Sequence, residues 1–206
     1  MLEGLTSGFI LSLALFPGTV WMVKVGRAAD RARVFAVGAG LVLSQIAWLA
    51  VGVPGLMMML RYLNFLESPM YYFGAFILLY HGWKLWRTRR ASTLDDAGAL
   101  PPAGILFHNA FTRATAMPMR LPSAIAVLLA TGLYVNNPVS AETVALALAG
   151  AVVGVCWWWG QVAVLTVLFA NRVPEQVTLR SLNKIRPLCA VLFLLLTGIC
   201  LVFAGG

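Results

Sequence analysis

The chain has 206 residues, 61% of them hydrophobic and 11% charged, with fifteen Lys and Arg against seven Asp and Glu for a net charge of +8. A soluble domain carries about 25% charged and about 45–50% apolar residues, so this composition excludes a cytosolic globular enzyme, and its apolarity excludes a disordered chain. A polytopic α-helical membrane protein remains, because a bilayer core takes about 20 apolar residues per helical span, alternating β-barrel strands are not visible, and the positive charge suits loops at an anionic membrane surface rather than nucleic acid.

The N-terminus, Met1-Leu2-Glu3-Gly4, has no cation and so does not read as a cleavable signal peptide. The first apolar stretch is predicted at Leu5–Val23, interrupted by Phe16-Pro17-Gly18, and is followed by Lys24, Arg27, Arg31 and Arg33. That order inserts the first helix with its N-terminus outside. The second stretch, Val34–Leu60, contains Ser44 and Gln45, and Arg61 follows it. The third, Met70–Trp86, has His81 near its end. A long connection then carries Lys84, Arg87, Arg89, Arg90, Arg113 and Arg120, and residues 91–102 within it read as a flexible cytoplasmic linker. The fourth stretch, Pro118–Val135, opens on Met117-Pro118-Met119, with Pro122 shortly after. The fifth, Thr143–Ala170, contains Gly150-x-x-x-Gly154, Trp157-Trp158-Trp159, Gln161 and Thr166. Arg172, Arg180, Lys184 and Arg186 precede the sixth, Pro187–Ala204.

Alternate loops therefore hold fourteen cations and one. This asymmetry predicts six spans with both termini on the non-cytoplasmic side. The linker divides the chain into a first three-helix repeat, residues 1–90, and a second, residues 103–206. Three spans each is an odd number, so similar halves must be inverted in the membrane, which places a substrate site at their interface near the midplane. Each half opens with an apolar helix broken at proline, Pro17 and Pro118. Proline removes a backbone donor, and a membrane tolerates the freed carbonyls only where protein or a water-filled cavity satisfies them. The predicted fold is thus all-α and integral to the membrane, six helices in two inverted repeats with the first and fourth broken.

Gly8-Phe9-Ile10-Leu11 followed by Phe16-Pro17-Gly18, the basic loop Gly26-Arg27 to Arg33, Gly38 and Gly40, and Phe73-Gly74-Ala75 through Leu79-Tyr80-His81-Gly82 resemble the motifs of the lysine-exporter (LysE/RhtB) family of amino-acid exporters. The basic end Lys84–Arg90 fits as well. The resemblance implies export of an amino acid or small derivative. The chain departs from the family pattern at two places. Pro17-Gly18-Thr19 stands where Pro-Gly-Pro is usual, and Met117-Pro118-Met119, followed by Arg120, stands where Asn-Pro-Lys is usual.

Substrate is expected between Phe16, Pro17, Gly18 and Thr19 on one side and Pro118 and Arg120 on the other. The half-helix N-termini after the prolines offer unpaired N–H groups, and Arg120 offers a full charge for a carboxylate. On a helix over His108–Arg120, Asn109, Arg113, Ala116 and Arg120 fall on one face, so two arginines could clasp an anion or meet lipid phosphates. Gln45 and Gln161, in the second helix of each half, either line the path or bond helix to helix. No Asp or Glu lies mid-span, which leaves His81 as the proton-coupling candidate, or as an interfacial histidine that only packs. At least one of the three tryptophans must face the bundle, and Gly150-x-x-x-Gly154 suits close packing within it, across a homodimer, or with a partner in a membrane complex. Cys156, Cys189 and Cys200 form no CxxC pair and read as buried hydrophobes. No metal cluster or nucleophile–base pair is visible, so neither catalysis nor a cofactor or metal is expected. The function expected is a transporter of the bacterial cytoplasmic (inner) membrane. The alternative is a non-transporting accessory subunit that keeps the fold with altered motifs.

Overall fold

The computed structural model describes residues 2–28, 30–62, 65, 67–88, 90–94, 100–117, 119–131 and 140–205. Pro118 lies outside them, as do Arg89 and residues 95–99 and 132–139. The described residues form eight helices: α1 (Leu2–Leu13), α2 (Phe16–Ala28), α3 (Arg31–Tyr62), α4 (Glu67–Arg87), α5 (Ala103–Thr115), α6 (Arg120–Ala130), α7 (Ala141–Phe169) and α8 (Glu175–Gly205). Three of them, α3, α7 and α8, are each long and apolar enough to cross a membrane, and α1 with α2 makes a fourth if that pair, bent by 67°, is one span.

Local chemistry sets the ends. Asp30 accepts from Arg33 N (3.3 Å) at the start of α3, and Ser140 Oγ accepts from Thr143 N (3.1 Å) at the start of α7. Both satisfy donors that a first helical turn leaves unpaired. Arg27 donates to the carbonyls of Ala170 (2.9 Å) and Val173 (3.4 Å), so one cation of the first basic cluster caps the C-terminus of α7.

The α1–α2 break follows from Pro17. An uninterrupted helix would bond the Leu13 carbonyl to the N–H of residue 17, and proline has none. The chain tightens instead, with Leu15 N on Ser12 O (3.1 Å) and Gly18 N on Leu15 O (2.7 Å). The counterpart in the second half begins earlier than the sequence suggests. The apolar stretch expected from Pro118 is preceded by α5, so the interruption falls between the end of α5 at Thr115 and the start of α6 at Arg120. Likewise α8 begins at Glu175 and takes Pro187 into its interior.

Packing crosses between the halves. The half-helix α1 lies along α7, and α5 lies along α3. Both contacts have the same form. A Cβ on Gly154 of α7 would stand 2.1 Å from Leu5 O and 2.9 Å from Phe9 N, and one on Gly40 of α3 would stand 2.6 Å from Phe107 O and 3.0 Å from Phe111 N. In each case a glycine meets a carbonyl and the amide four residues on, so the two backbones touch, as small residues permit between membrane helices. Helices α4 and α8 pack antiparallel, with Gly74 near Cys200 and Gly82 near Ala190.

The outer surface is apolar. Leu188, Leu195 and Val202, spaced seven apart on α8, are 67%, 63% and 74% exposed. Such a stripe belongs against lipid. Cys189 and Cys200 are buried, but Cys156 is exposed on α7, against expectation. The linker expected to be flexible is partly held. Ala91 exchanges two hydrogen bonds with Asn183 (3.1 and 3.2 Å), and Leu94, fully buried, donates to Glu175 (2.6 Å).

Candidate functional site

The two breaks meet at one cavity of about 300 Å³. Leu15 and Pro17 come from the first break, Met117, Met119 and Arg120 from the second, and α4 closes it with Tyr80, His81 and Lys84. Pro118 itself is not described, but both its neighbours line the same cavity as Pro17. Arg120, the first residue of α6, is 6% exposed. Its side-chain polar contact is Nη2 to Met117 Sδ at 3.8 Å, and a thioether is a weak acceptor. No carboxylate pairs with it among the described residues. Ser123, three residues on, bonds to the Met119 carbonyl and to His81 Nε2. With Ser123 donating to the carbonyl, its oxygen accepts from His81 Nε2–H, which ties α6 to α4 beside the cavity.

A second cavity, about 310 Å³, shares Pro17 and Thr88 with the first and is flanked by Lys24, Arg90 and Arg186. Arg186 of α8 donates through Nη1 to the Thr88 carbonyl, while its Nε has no partner among the described residues. Lys24 of α2, Arg186 of α8 and Arg90 therefore line a cavity that adjoins the one at the breaks.

Thr19 faces elsewhere, and Phe16 lies between the second cavity and that other space. They line an apolar groove of about 520 Å³ between α2, α7 and α8, together with Trp158 and Gln161. Thr19 Oγ1 and Trp158 Nε1 are buried there without partners among the described residues. Thr19 and Ser123 are each the fourth residue of the second half-helix in their half. Ser123 reaches α4, whereas Thr19 faces the groove whose far wall is α8, with Thr178 and Ser181 on it. Helix α6 is thus packed on α4 while α2 stands apart from α8.

The remaining candidates divide. Gly18 packs beneath Trp159, where a Cβ would stand 3.0 Å from the indole. Gln45 is fully buried on α3. Its Oε1 lies 2.9 Å from both Ser12 Oγ and Trp159 Nε1, and its Nε2 donates to Leu11 O at 3.2 Å. That carbonyl is among those freed at the break, so Gln45 satisfies it from outside the helix. Gln45→Leu strands the indole N–H and the carbonyl, at about 1–3 kcal/mol for each orphan. A large fall in the thermal unfolding midpoint of the purified protein is expected, and an unchanged midpoint would refute this role.

Trp157 is 60% exposed and Trp158 stacks edge-on against Phe9 (centroids 5.2 Å apart), so of the three only Trp159 enters the core. The arginine face expected over His108–Arg120 does not exist. The helix breaks inside it, leaving Arg113 exposed on α5 and Arg120 buried on α6. Tyr80, Lys84 and Ser123 also line the cavity, without a local signal in the sequence: Tyr80 and Lys84 neighbour His81 on α4, but nothing local shows that α6 docks there.

The curated proteins and the solved structures give no match to the chain. The family model described as LysE type translocator matches residues 11–204. With all but the ends of the chain covered, and the two helix breaks facing one cavity, the protein belongs to the LysE type translocator family, a family of membrane transporters.

Proposed function

We propose that the chain is a secondary transporter that moves an amino acid or small derivative out of the cytoplasm, with six spans in two inverted three-helix repeats. The observation that carries this reading is the cavity between the two breaks, with the unpaired Arg120 in its wall. A chain kept only as an accessory subunit has no need of a cavity there. The inverted arrangement is supported by the crossed, matching contacts of Gly154 on α1 and Gly40 on α5. Counting α4 as the third span and α5 with α6 as the fourth completes the six. The positive-inside asymmetry puts the cavity of Lys24, Arg90 and Arg186 on the cytoplasmic side and both termini in the periplasm of a bacterial inner membrane. Arg172→Cys is therefore expected to react with an impermeant thiol reagent only after the membrane is opened, and Ser140→Cys to react in intact cells. The reverse pattern would overturn the orientation.

Access alternates by rocking one repeat against the other. The unequal packing of the half-helices supports this, since α6 is on α4 through His81 and Ser123 while α2 has left Thr19, opposite α8, unpaired among the described residues. In the other state α2 closes on α8 and α6 departs from α4. Val23 and Val177 line opposite sides of the groove. Cysteines at both positions, in a background without native cysteines, are expected to block efflux when bridged and to recover on reduction. Efflux that persists with the bridge formed would sink the rocking motion. No efflux of any compound from loaded cells, over a broad amino-acid panel, would remove the transport reading and favour the accessory subunit.

A further inference from the structure

We propose that the cavity at the paired breaks takes a small organic acid carrying net negative charge, its carboxylate held by Arg120, and rejects lysine-like cations. This rests on the transport reading and deepens it by naming the substrate class.

Arg120 is 94% buried, with no described acceptor stronger than the Met117 sulfur. A buried guanidinium needs compensation by an opposite charge and by acceptors for its five donors. The acids of the described chain are placed elsewhere. Asp30 lies beside Arg33, Glu175 accepts from Leu94 N, and Glu3, Glu67 and Glu142 stand in the first turns of α1, α4 and α7. None of them lines the central cavity or the one adjoining it.

What does line them is positive or neutral. The second cavity is lined by Lys24, Arg90 and Arg186, and the central one, which shares Pro17 and Thr88 with it, by Lys84, His81 and Arg120. Arg186 holds the Thr88 carbonyl through Nη1, with Nε unpartnered among the described residues. Such a lining concentrates anions and repels cations. A carboxylate fits a guanidinium fork by two parallel hydrogen bonds. A substrate with an extra ammonium brings a positive charge beside Lys84 and Arg120, with no carboxylate among the described lining residues to receive it. The volume, about 300 Å³, lies at the lower end of small-molecule sites. Leu15, Leu85 and Met119 offer apolar walls for a short carbon skeleton.

The test is counterflow into liposomes holding the full-length protein, with labelled glutamate, succinate, leucine and lysine as probes. The two acids are expected to exchange at least roughly tenfold faster than lysine, because lysine keeps a carboxylate for Arg120 but brings an extra ammonium into cavities lined by cations, and Arg120→Gln is expected to erase that preference. Lysine moving as fast as the acids, or a preference that survives Arg120→Gln, would overturn the proposal. A second measurement separates its failure from failure of transport. In detergent, millimolar glutamate or succinate should raise the unfolding temperature of the wild type but not of Arg120→Gln. Stabilisation without counterflow supports the anion site and defeats transport alone. No stabilisation by either acid overturns the anion site, as does an Arg120-dependent shift given only by phosphatidylglycerol, which would assign the arginine to a lipid headgroup.

Discussion

Arg120→Ala is expected to lower efflux roughly ten- to a hundredfold at limiting substrate, the value of one charge-assisted hydrogen bond at about 1.5–3 kcal/mol. The same substitution should leave the thermal midpoint of the empty protein unchanged or raise it. A charge buried without a counter-charge weakens a fold, and its removal relieves that desolvation. In the structure Arg120 has the Met117 thioether rather than a carboxylate. Lost transport with retained or improved stability is the signature of a binding residue, since a structural arginine would lose both. Arg113→Ala supplies the contrast. Arg113 is exposed at the end of α5 and lines neither cavity, so its loss should leave efflux near the wild-type rate. Efflux is measured from loaded cells or vesicles at matched expression. Unchanged efflux in Arg120→Ala would take the arginine out of the mechanism.

Gly8→Ala is expected to be among the most destabilising single methyl additions in the chain. Its Cβ would stand 2.0 Å from the Ala151 carbonyl oxygen and 2.7 Å from the carbonyl carbon. Both atoms belong to the backbone of α7, so no side chain can turn away, and the half-helix must lift from its partner. Overpacking of this kind costs about 1–3 kcal/mol, and Gly8→Leu should prevent recovery of monodisperse protein. Gly154→Ala should behave like Gly8→Ala, because its Cβ would meet Leu5 O at 2.1 Å on the same seam. Gly160 and Gly198 have nothing within 4 Å of the same added atom. There alanine should be neutral or stabilising by up to about 0.5–1 kcal/mol, from its better helix propensity. Thermal unfolding of the four alanine variants in one detergent checks this. Equal midpoints across the set would show that the α1–α7 contact is looser than its geometry requires.

Composition alone determined that the chain lives in lipid. Proline and glycine placement pointed to an interruption of the first helix at Phe16-Pro17-Gly18, and the structure puts it just before them, at Ala14 and Leu15, because Pro17 has no N–H for the Leu13 carbonyl. Pro54 and Pro187 lack the same donor inside the continuous helices α3 and α8, so tertiary packing decided which proline marks a break. The 14-to-1 division of cations carries the proposed orientation by a local rule. Other features depended on how the elements meet. Periodicity joined Arg113 and Arg120 on one helical face, but the chain breaks between them and only Arg120 is buried. Gln45 and Gln161 look alike in sequence. One satisfies a freed carbonyl inside the core while the other lines the groove beside α2. Thr19 and Ser123 hold matching places in their half-helices, and only tertiary packing gave one a histidine and left the other without a partner among the described residues. A side chain's partner is set by the neighbouring helix and not by its own. The position of α2 and α6 against their neighbours is therefore what turned two proline breaks into one cationic cavity, and that position is written in contacts far apart along the chain.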